Sequence, residues 1–552
     1  MSLLPAPLSI ARFVKITNQK TPNKGGAQLK ILNMRKKLLS LQGFALLAFS
    51  LLSVEPAAAQ SRSFTANLTE AGTLADVIPA ETLPNIDSLT VTGPINAKDI
   101  ELLRNMIWIY GTAGSFTSYM DLSGARVVEG GTFNYRTFAG DTIQIATKND
   151  VFPPCVFASC SGLNTIKLPS TIKEIGDSAF FNAGIGSIDI PATVERIDSK
   201  AFYGNYNLNE VNGGSNVKFI GDYAFNGATN VSSFSFSDEL DSIGKNAFYS
   251  TALTSVSIPA SVKYIGEAAF GATSNLTEFK LNGNGNYIVE EGGALLNKEK
   301  TLLLGYPCNH DGDSYDIPST VTRVGESAFE GNSRLTSIYI PASVEELGDK
   351  AFSICSNLNK LDVDENNTHY AVRNGILCDY SGENALVCPA LTAGNVIVPD
   401  GVKNIGSYCF YNATGITGVT LPASLETIGS AAFQADYMIS DIHCKGLNPA
   451  TFADESTFFF VGAYFPVTLH VPSGAAEAYT NEWVNGGAFV VPANVTVTED
   501  EPVTDGISKT AAISGAEEVA RYSINGTRIS SPVRGINIIK MSDGSVRKVN
   551  VK

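Results

Sequence analysis

The sequence predicts a β-rich α/β solenoid, in which short coils stack so that their strands form a parallel sheet. The segment SIPASVKYIGEAAF at 257–270 nearly recurs as YIPASVEELGDKAF at 339–352. The phenylalanine that closes each unit returns every 22 or 23 residues, apart from two gaps of 59 and 58, at Phe180, Phe202, Phe225, Phe248, Phe270, Phe329, Phe352, Phe410 and Phe433. A fixed period in this range indicates a repeat solenoid.

Residues 1–59 are expected to form a leader that is removed from the mature protein. From Met34 the chain passes through a basic stretch at 35–37 into an apolar stretch, and three alanines follow at 57–59. This order is typical of a secretory signal peptide, so cleavage is expected after Ala59. The alternative, a membrane anchor, is disfavoured because Glu55 and two serines interrupt an apolar run that is short for a bilayer span.

Residues 60–150 lack the phenylalanine anchor and are expected to form an N-terminal cap. The segment LTVTGPINAKDIELLRNM at 89–106 predicts a strand, a turn and a helix that begins near Asn96 or Asp99. MDLSGARVVEGG at 120–131 predicts another strand and turn. An atypical unit at the end of a solenoid shields the apolar side of the first coil from water.

The repeats occupy residues 151–445, and LTSVSIPASVKYIGEAAF at 253–270 illustrates one coil. Alternating apolar residues form the buried side of a short strand, which Pro259 ends because proline lacks an amide hydrogen. Gly266 permits a tight turn, and the four residues after it are expected to form a helical turn. Phe270 is expected to fill the gap between coils, worth about 1.5–3 kcal/mol if fully buried. We expect about twelve such coils, because no single unit buries its apolar side alone.

Two insertions, at about 282–316 and 364–397, explain the two long gaps between anchors. In each, an alternating strand, a glycine (Gly292 or Gly375) and a second strand predict a β-hairpin. Two roles remain open for these hairpins, contact with a ligand and decoration of the edge of the solenoid.

The pattern IP-x-SV-x-x-IG-x-x-AF recurs with this spacing nine times between about 160 and 445. It resembles the BspA-type leucine-rich repeat of bacterial surface proteins. The resemblance implies a right-handed leucine-rich-repeat horseshoe with a parallel sheet. Family members are implicated in adhesion to host matrix proteins and to other cells.

Residues 446–497 are expected to close the array as a C-terminal cap. TLHVPSGAAEAYTNEWVNGGAFVV at 468–491 is similar to the segment that follows many BspA-type arrays. Trp483 is expected to pack over the last coil, and an exposed ring that stacks on carbohydrate is the alternative. The segment 498–512 is acidic and contains proline and glycine, so it is expected to be a linker.

Residues 513–552 are expected to form a small C-terminal β-domain. Asn525-Gly526 and Asp543-Gly544 predict hairpin turns between alternating strands. The ING-x-R motif, GINIIK and the basic last strand resemble the C-terminal sorting domain of type IX secretion substrates. That resemblance implies contact with the export machinery and a place on the outer surface of a Gram-negative bacterium, or secretion. The alternative is a β-domain that merely ends the protein.

Composition and motifs argue against several classes of function. The chain has 39 Lys and Arg against 54 Asp and Glu, a net charge of −15, so no nucleic-acid partner is expected. It contains no nucleophile elbow, Walker loop, dinucleotide fingerprint or HExxH motif, and its four histidines are scattered. We therefore expect no enzyme activity, no cofactor and no metal. DVDENN at 362–367 is interpreted as a solvated turn, because it lacks the glycine and distal glutamate of a calcium loop.

The eight cysteines are interpreted in two groups. Four fall where other repeats carry apolar or small residues, and they are expected to be buried free thiols: Cys378, Cys388, Cys409 and Cys444. Cys155 and Cys160 are close enough in sequence to form a disulfide in an exported chain.

The candidate binding site is the concave face of the sheet, where outward strand positions vary while the core is fixed. The candidates are Lys167, Asp189, Glu210, Glu278, Lys280, Tyr339, Lys360, Asp362, Asp441 and His443. Mixed charge and few aromatic rings suit a protein or a polar glycan. The expected partner is a host extracellular matrix protein or glycan, and the expected function is adhesion. The alternatives are a structural spacer without a ligand and a glycan-binding accessory protein, which would need Tyr339 and Trp483 as exposed platforms.

Overall fold

The computed structural model describes residues 62–108, 117–137, 139–454, 456–458, 461–500, 518–523, 527–542 and 546–551. The predicted leader and most of the predicted linker lie outside these residues. The described part forms a parallel β-solenoid of about 17 turns with little helix, which confirms the solenoid prediction. The turns outnumber the twelve predicted because both end regions also contribute strands to the stack.

Each turn begins with a long strand whose alternate side chains point outward, and these outward side chains are called the strand face. Neighbouring long strands are parallel and in register, as in Ser187–Ile190 beside Glu210–Gly213. The long strands are Ser63–Asn67, Ser88–Ile95, Tyr119–Val127, Thr165–Lys167, Ser187–Ile190, Glu210–Gly213, Ser255–Pro259, Glu278–Asn282, Ser314–Asp316, Ser337–Ile340, Lys360–Val363, Ala393–Ile397, Gly415–Leu421, Asp441–Cys444, Val467–Val471 and Val495–Glu499. The last of these extends two residues into the predicted linker.

After a corner, each coil adds a two-residue strand to a second parallel stack. These strands are Val151–Phe152, Glu174–Ile175, Arg196–Ile197, Phe219–Ile220, Ser242–Ile243, Tyr264–Ile265, Arg323–Val324, Glu346–Leu347, Asn404–Ile405, Thr427–Ile428 and Thr451–Phe452. Their isoleucine, valine, leucine and phenylalanine side chains form the second wall of the core, as the return of the chain after the proline predicts.

The third side of each coil differs from the predicted helical turn. The residues two before and two after the anchoring phenylalanine have positive φ, for example Lys200 (56°) and Gly204 (67°) around Phe202. A left-handed residue at each of these positions breaks the helical path. The freed amides bond to the next coil instead: Phe202 donates to the carbonyl of Ala224 at 2.7 Å. The third side of the solenoid is therefore a stack of turns, one in each coil, which are joined to one another by backbone hydrogen bonds.

The anchoring phenylalanines stack as predicted. Phe202, Phe225 and Phe248 are fully buried, with ring centroids 5.0 and 5.2 Å apart. Tyr306 takes the anchor position after the first insertion, where its ring stacks on Phe329 at 5.4 Å. The buried residues form three successive core clusters, which span residues 66–304, 294–377 and 376–489.

The insertions contain three strands each rather than two. The first is Tyr287–Val289, Leu295–Asn297 and Leu302–Gly305, and the second is Tyr370–Arg373, Ile376–Asp379 and Asn384–Val387. In both, the first two pairings are antiparallel, and the third strand then pairs in parallel with the second stack of the solenoid. The positive φ of the first turn falls on Gly293 rather than on the predicted Gly292.

Both end regions continue the strand face. Near the N-terminus the α-helices are Leu74–Val77 and Ala97–Trp108, Leu83–Asn85 is a 3-10 helix, and Thr132–Arg136 and Thr142–Ala146 form a hairpin.

Near residue 480 lie the α-helix Ala476–Tyr479, the π-helix Thr480–Val484 and the 3-10 helix Pro492–Asn494. Trp483 is 1 % exposed, and its indole N–H donates to the carbonyl of Ala450 at 2.8 Å. It therefore packs as expected and does not form an exposed platform.

The C-terminal segment forms a four-stranded antiparallel sheet of Glu518–Ser523, Arg528–Ile529, Gly535–Met541 and Val546–Val551. The predicted turn residues Asn525, Gly526, Asp543 and Gly544 lie outside the described residues. No helix among the described residues is long and apolar enough to span a membrane.

The cysteines expected to be thiols are buried and free, at Cys378, Cys388, Cys409 and Cys444. Burial raises the pKa of Cys388 and of Cys444 to about 12, so both thiols are neutral. Cys155 also carries a free thiol, so the disulfide that its spacing allowed is not formed.

Candidate binding face

The strand face presents two columns of outward side chains because the coils stack in register. In the first sheet, Lys167 lies directly beside Asp189, and Glu210 lies beside Ser187 in the other column. The alternate residues of these strands are buried, so that each strand has one inward and one outward side. All ten predicted residues occupy outward positions of long strands, and each is at least partly exposed.

The face is divided rather than continuous. Its long strands fall into four sheets, which break near residues 214–254, 283–313 and 364–392. The last two breaks coincide with the insertions. The candidates therefore lie in four groups along the molecule: Lys167, Asp189 and Glu210; Glu278 and Lys280; Tyr339, Lys360 and Asp362; and Asp441 and His443.

The lysines of the face are held by neighbouring carboxylates. The Lys167 amine lies 3.3 Å from Asp121, that of Lys280 lies 2.5 Å from Glu278, and that of Lys360 lies 2.7 Å from Asp362. Hydrogen bonds that the Lys167 amine donates to Tyr119 and Asp121 raise the pKa of Lys167. Because these pairs are exposed, each contributes little to folding stability and separates at small cost. They keep opposite charges close together on a surface that a partner can approach.

The Tyr339 group borders a groove of about 410 Å³. The groove lies between strand Lys360–Val363 and the second insertion, and Asp362, Asp364 and Tyr380 line it. The Tyr339 hydroxyl donates to Asp364 at 2.6 Å, and this bond lowers the pKa of that carboxyl. Asp364 also accepts the amide of Asn366, so its carboxylate shapes the turn, in agreement with the solvated-turn interpretation of DVDENN.

At the last group, Asp441 and His443 meet two residues that the sequence analysis did not select. The His443 ring stacks on His470 with centroids 4.2 Å apart, and His470 Nε2 lies 3.2 Å from Asp441. His470 Nδ1 is 3.6 Å from Asp500. The described residues contain no group of three or more His, Cys, Asp or Glu side chains arranged to hold a metal ion.

Sequence reasoning missed the partners that come from the end regions. Asp121 and His470 lie in strands without a phenylalanine anchor, so the repeat pattern did not reach them. Alignment of DIHC at 441–444 with TLHV at 468–471 would have found His470, because the two histidines share one column.

A family model agrees with this architecture. The model of the BspA type leucine rich repeat region, in six copies, matches residues 128–218, 195–292, 308–374 and 387–460, which is more than half of the chain. The chain belongs to the BspA-type leucine-rich repeat family. In the BspA-type region, both insertions fall at or near gaps between matched segments, at 293–307 and 375–386.

Solved structures of other leucine-rich repeat proteins are similar to this BspA-type chain. A protein from Eubacterium ventriosum is 21 % identical with a TM-score of 0.41, over 60 % of this chain and 95 % of that one. A leucine rich cell surface protein from Faecalibacterium prausnitzii is 20 % identical with a TM-score of 0.40, over 58 % and 95 %. The pneumococcal vaccine antigen PcpA is 17 % identical with a TM-score of 0.34, over 80 % and 89 %. No curated protein matches significantly.

Proposed function

We propose that this BspA-type protein is an exported cell-surface adhesin, which binds host matrix proteins or other cells through its strand face. The observation that carries the proposal is the pair of in-register columns of exposed side chains, in which Lys167 lies between Asp121 and Asp189 on neighbouring strands. A surface of exposed, closely spaced opposite charges favours recognition of another protein, since electrostatic complementarity gives specificity and fast association. We also propose that the protein binds its partner without catalysing a reaction.

Export is proposed on the two ends of the chain. The signal-peptide pattern before Ala59 and the resemblance of residues 513–552 to a type IX sorting domain support secretion or display on the outer surface of a Gram-negative bacterium. The comparison with a cell surface protein of Faecalibacterium prausnitzii is in keeping with this.

The test is binding of the chain without its leader to immobilised fibronectin, fibrinogen and host glycans. One variant changes three paired lysines and one tyrosine of the face to alanine: Lys167, Lys280, Tyr339 and Lys360. The matched control changes one exposed tyrosine of the second stack and three paired lysines that directly precede its strands: Tyr264, Lys218, Lys263 and Lys403.

We expect saturable binding that falls at least tenfold in the face variant and is unchanged in the control. Equal loss in both variants, or no loss in the face variant, would contradict binding through the face. Absence of saturable binding to every ligand would favour the alternative, a structural spacer. Binding to glycans alone would favour a glycan-binding accessory protein that works without Trp483, since that ring is buried.

A further inference from the structure

The strand face has an unfilled place beside strand Lys360–Val363. This strand pairs with Ser337–Ile340 on one side only, and the next long strand, Ala393–Ile397, pairs only with Gly415–Leu421. The two strands occupy successive coils, yet neither pairs with the other within the described part of the chain. Two strand edges therefore face the same break in the sheet.

The break has defined ends. At the start of the strands, the amide of Leu391 donates to the carbonyl of Leu358 at 2.9 Å. At the other end, the side-chain amide of Asn374, at the tip of the second insertion, donates to the carbonyl of Ile397 at 3.2 Å. Between these two bonds the coils are separated, so the opening has about the length of one short strand.

The edge of Lys360–Val363 carries backbone groups that can bond to a further strand. The amides of Lys360 and Asp364 donate back to the carbonyls of Thr336 and Ile340. Because successive peptide groups of a strand point to opposite sides, those of Leu361 and Val363 point into the break. An exposed strand edge of this kind is a template for pairing with another chain.

The surroundings of the break indicate the chemistry of its occupant. The groove of about 410 Å³ runs along this strand and is lined by three carboxylates, those of Asp362, Asp364 and Glu365, against one lysine, Lys360. Two of the apolar side chains that line the groove, Val372 and Tyr380, are exposed. Exposed apolar side chains with a charged rim favour contact with a protein.

We propose that this groove binds an extended peptide segment of a partner protein, in which basic and apolar residues alternate, by addition of a strand to Lys360–Val363. Main-chain hydrogen bonds supply affinity, and alternate side chains supply specificity. The basic side chains lie beside Asp362 and Glu365, while the apolar ones cover Val372 and Tyr380. The inference rests on the proposed adhesin function, because it names the kind of segment that the Tyr339 group of the face recognises.

The test uses the chain without its leader and a fluorescent seven-residue peptide in which valine and lysine alternate. We expect saturable binding, measured by fluorescence anisotropy, and slower hydrogen exchange in residues 359–365. A peptide with glutamate in place of lysine should bind at least tenfold more weakly. Absence of saturable binding of the lysine peptide, or equal binding of the glutamate peptide, overturns the proposal.

Two peptides with unchanged side chains separate strand addition from simple charge attraction. One is N-methylated on every lysine amide and the other on every valine amide. A strand added to Lys360–Val363 bonds to it through one edge, so at least one of the two peptides should lose at least tenfold in affinity. Loss in both would show that the added strand also bonds to Ala393–Ile397. Equal affinity of both for the protein, at the level of the parent peptide, overturns strand addition.

The site is tested with the double variant Asp362→Asn and Glu365→Gln, in which Asp364 is retained because it holds the turn. Loss of Asp362 also frees Lys360 to repel the peptide. We expect at least a fivefold weaker complex. The matched control is Asp238→Asn with Glu239→Gln, at two exposed positions that lie neither in the groove nor in a long strand of the face, and it should bind normally. If the Asp362→Asn and Glu365→Gln variant binds the peptide as tightly as the parent protein, the proposed location of the site is wrong. Binding of matrix proteins is followed in parallel, so failure of the groove is distinguishable from failure of the adhesin proposal.

Discussion

The residue three positions after each anchoring phenylalanine is buried, and in several coils its side chain donates a hydrogen bond to a backbone carbonyl of the preceding coil. The side-chain amide of Asn205 donates to the carbonyl of Phe180 at 2.7 Å. Thr273 makes the equivalent bond to Phe248 at 3.3 Å. A short ladder of polar side chains therefore exists in this solenoid, although the sequence shows no continuous asparagine ladder.

Asp436 occupies the same position of its coil, but its carboxylate has no hydrogen to donate. It is fully buried, and both carboxylate oxygens lack a hydrogen-bond partner among the described residues. Burial raises its pKa well above the usual value, which outweighs the nearby backbone of Ala413. A carboxylate accepts hydrogen bonds but does not donate them, so only the protonated acid suits the site.

We expect Asp436→Asn to stabilise the protein at neutral pH by about 1–3 kcal/mol, because a neutral amide removes the cost of burying a carboxyl group whose oxygens lack partners among the described residues. The folded pKa lies above the unfolded one, so the contribution of Asp436 to stability is complete below the unfolded pKa and is lost as the pH rises through the folded pKa. The gap in melting temperature between variant and parent should therefore widen from about pH 4 upward.

Thermal unfolding from pH 4 to pH 8 measures this gap. Asp238→Asn, at an exposed position, is the control and should follow the parent at every pH. A variant whose melting temperature stays below that of the parent throughout the range would show that Asp436 does not act through its proton.

At the scale of the element, the second insertion depends on its Asn374-Gly375 turn. Both residues have positive φ, 51° and 79°, which is the two-residue turn that matches the twist of paired strands. A Cβ on Gly375 would meet no atom within 4 Å, so a substitution there changes the backbone preference without a steric clash.

Gly375→Ala should destabilise this insertion by about 1–2 kcal/mol, since a left-handed conformation is unfavourable for alanine. Hydrogen exchange in residues 370–379 should become faster, with little change elsewhere. Gly186→Ala serves as the control, because Gly186 lacks positive φ and a Cβ there meets only Asn164 Oδ1 at 3.5 Å. Unchanged exchange in residues 370–379 would mean that neighbouring contacts, not the turn, hold the hairpin.

At the scale of the whole molecule, stability is local because each coil touches mainly its neighbours. The phenylalanine stack is interrupted at the insertions, where the buried residues divide into three clusters. In such a linear array, stability is approximately a sum of coil and interface contributions. Damage in one cluster should therefore remain in that cluster.

Phe225→Ala should lower the local stability by about 3–5 kcal/mol, since it removes a buried ring stacked on both sides. Hydrogen exchange should accelerate in residues 187–265 and stay unchanged in residues 376–489. Phe219→Ala, at a 37 % exposed ring, is the matched control and should have little effect. Equal acceleration along the whole chain would indicate one cooperative unit instead.

Much of this molecule was predictable because a repeat reports the same physical constraint many times. The period of 22–23 residues identified the stacked coils, their strands and their buried phenylalanines. The outward positions of the face followed from alternation, as at Lys167 and Asp189. The export route remains a prediction, since it rests on sequence patterns at the two ends of the chain. The adhesin function also remains a prediction, since the exposed charges of the face do not identify the molecule that binds them.

The sequence by itself determined the coil, because apolar periodicity, proline and glycine act within about twenty residues. Only the tertiary structure decided how the coils meet. It replaced the expected helical turn by a ladder of left-handed turns, paired Lys167 with Asp121 and brought His470 against His443. It also left strand Lys360–Val363 unpaired on the side of the next coil. The reason is that these features depend on register between distant strands, and a local pattern carries no information about which residues of neighbouring coils face each other.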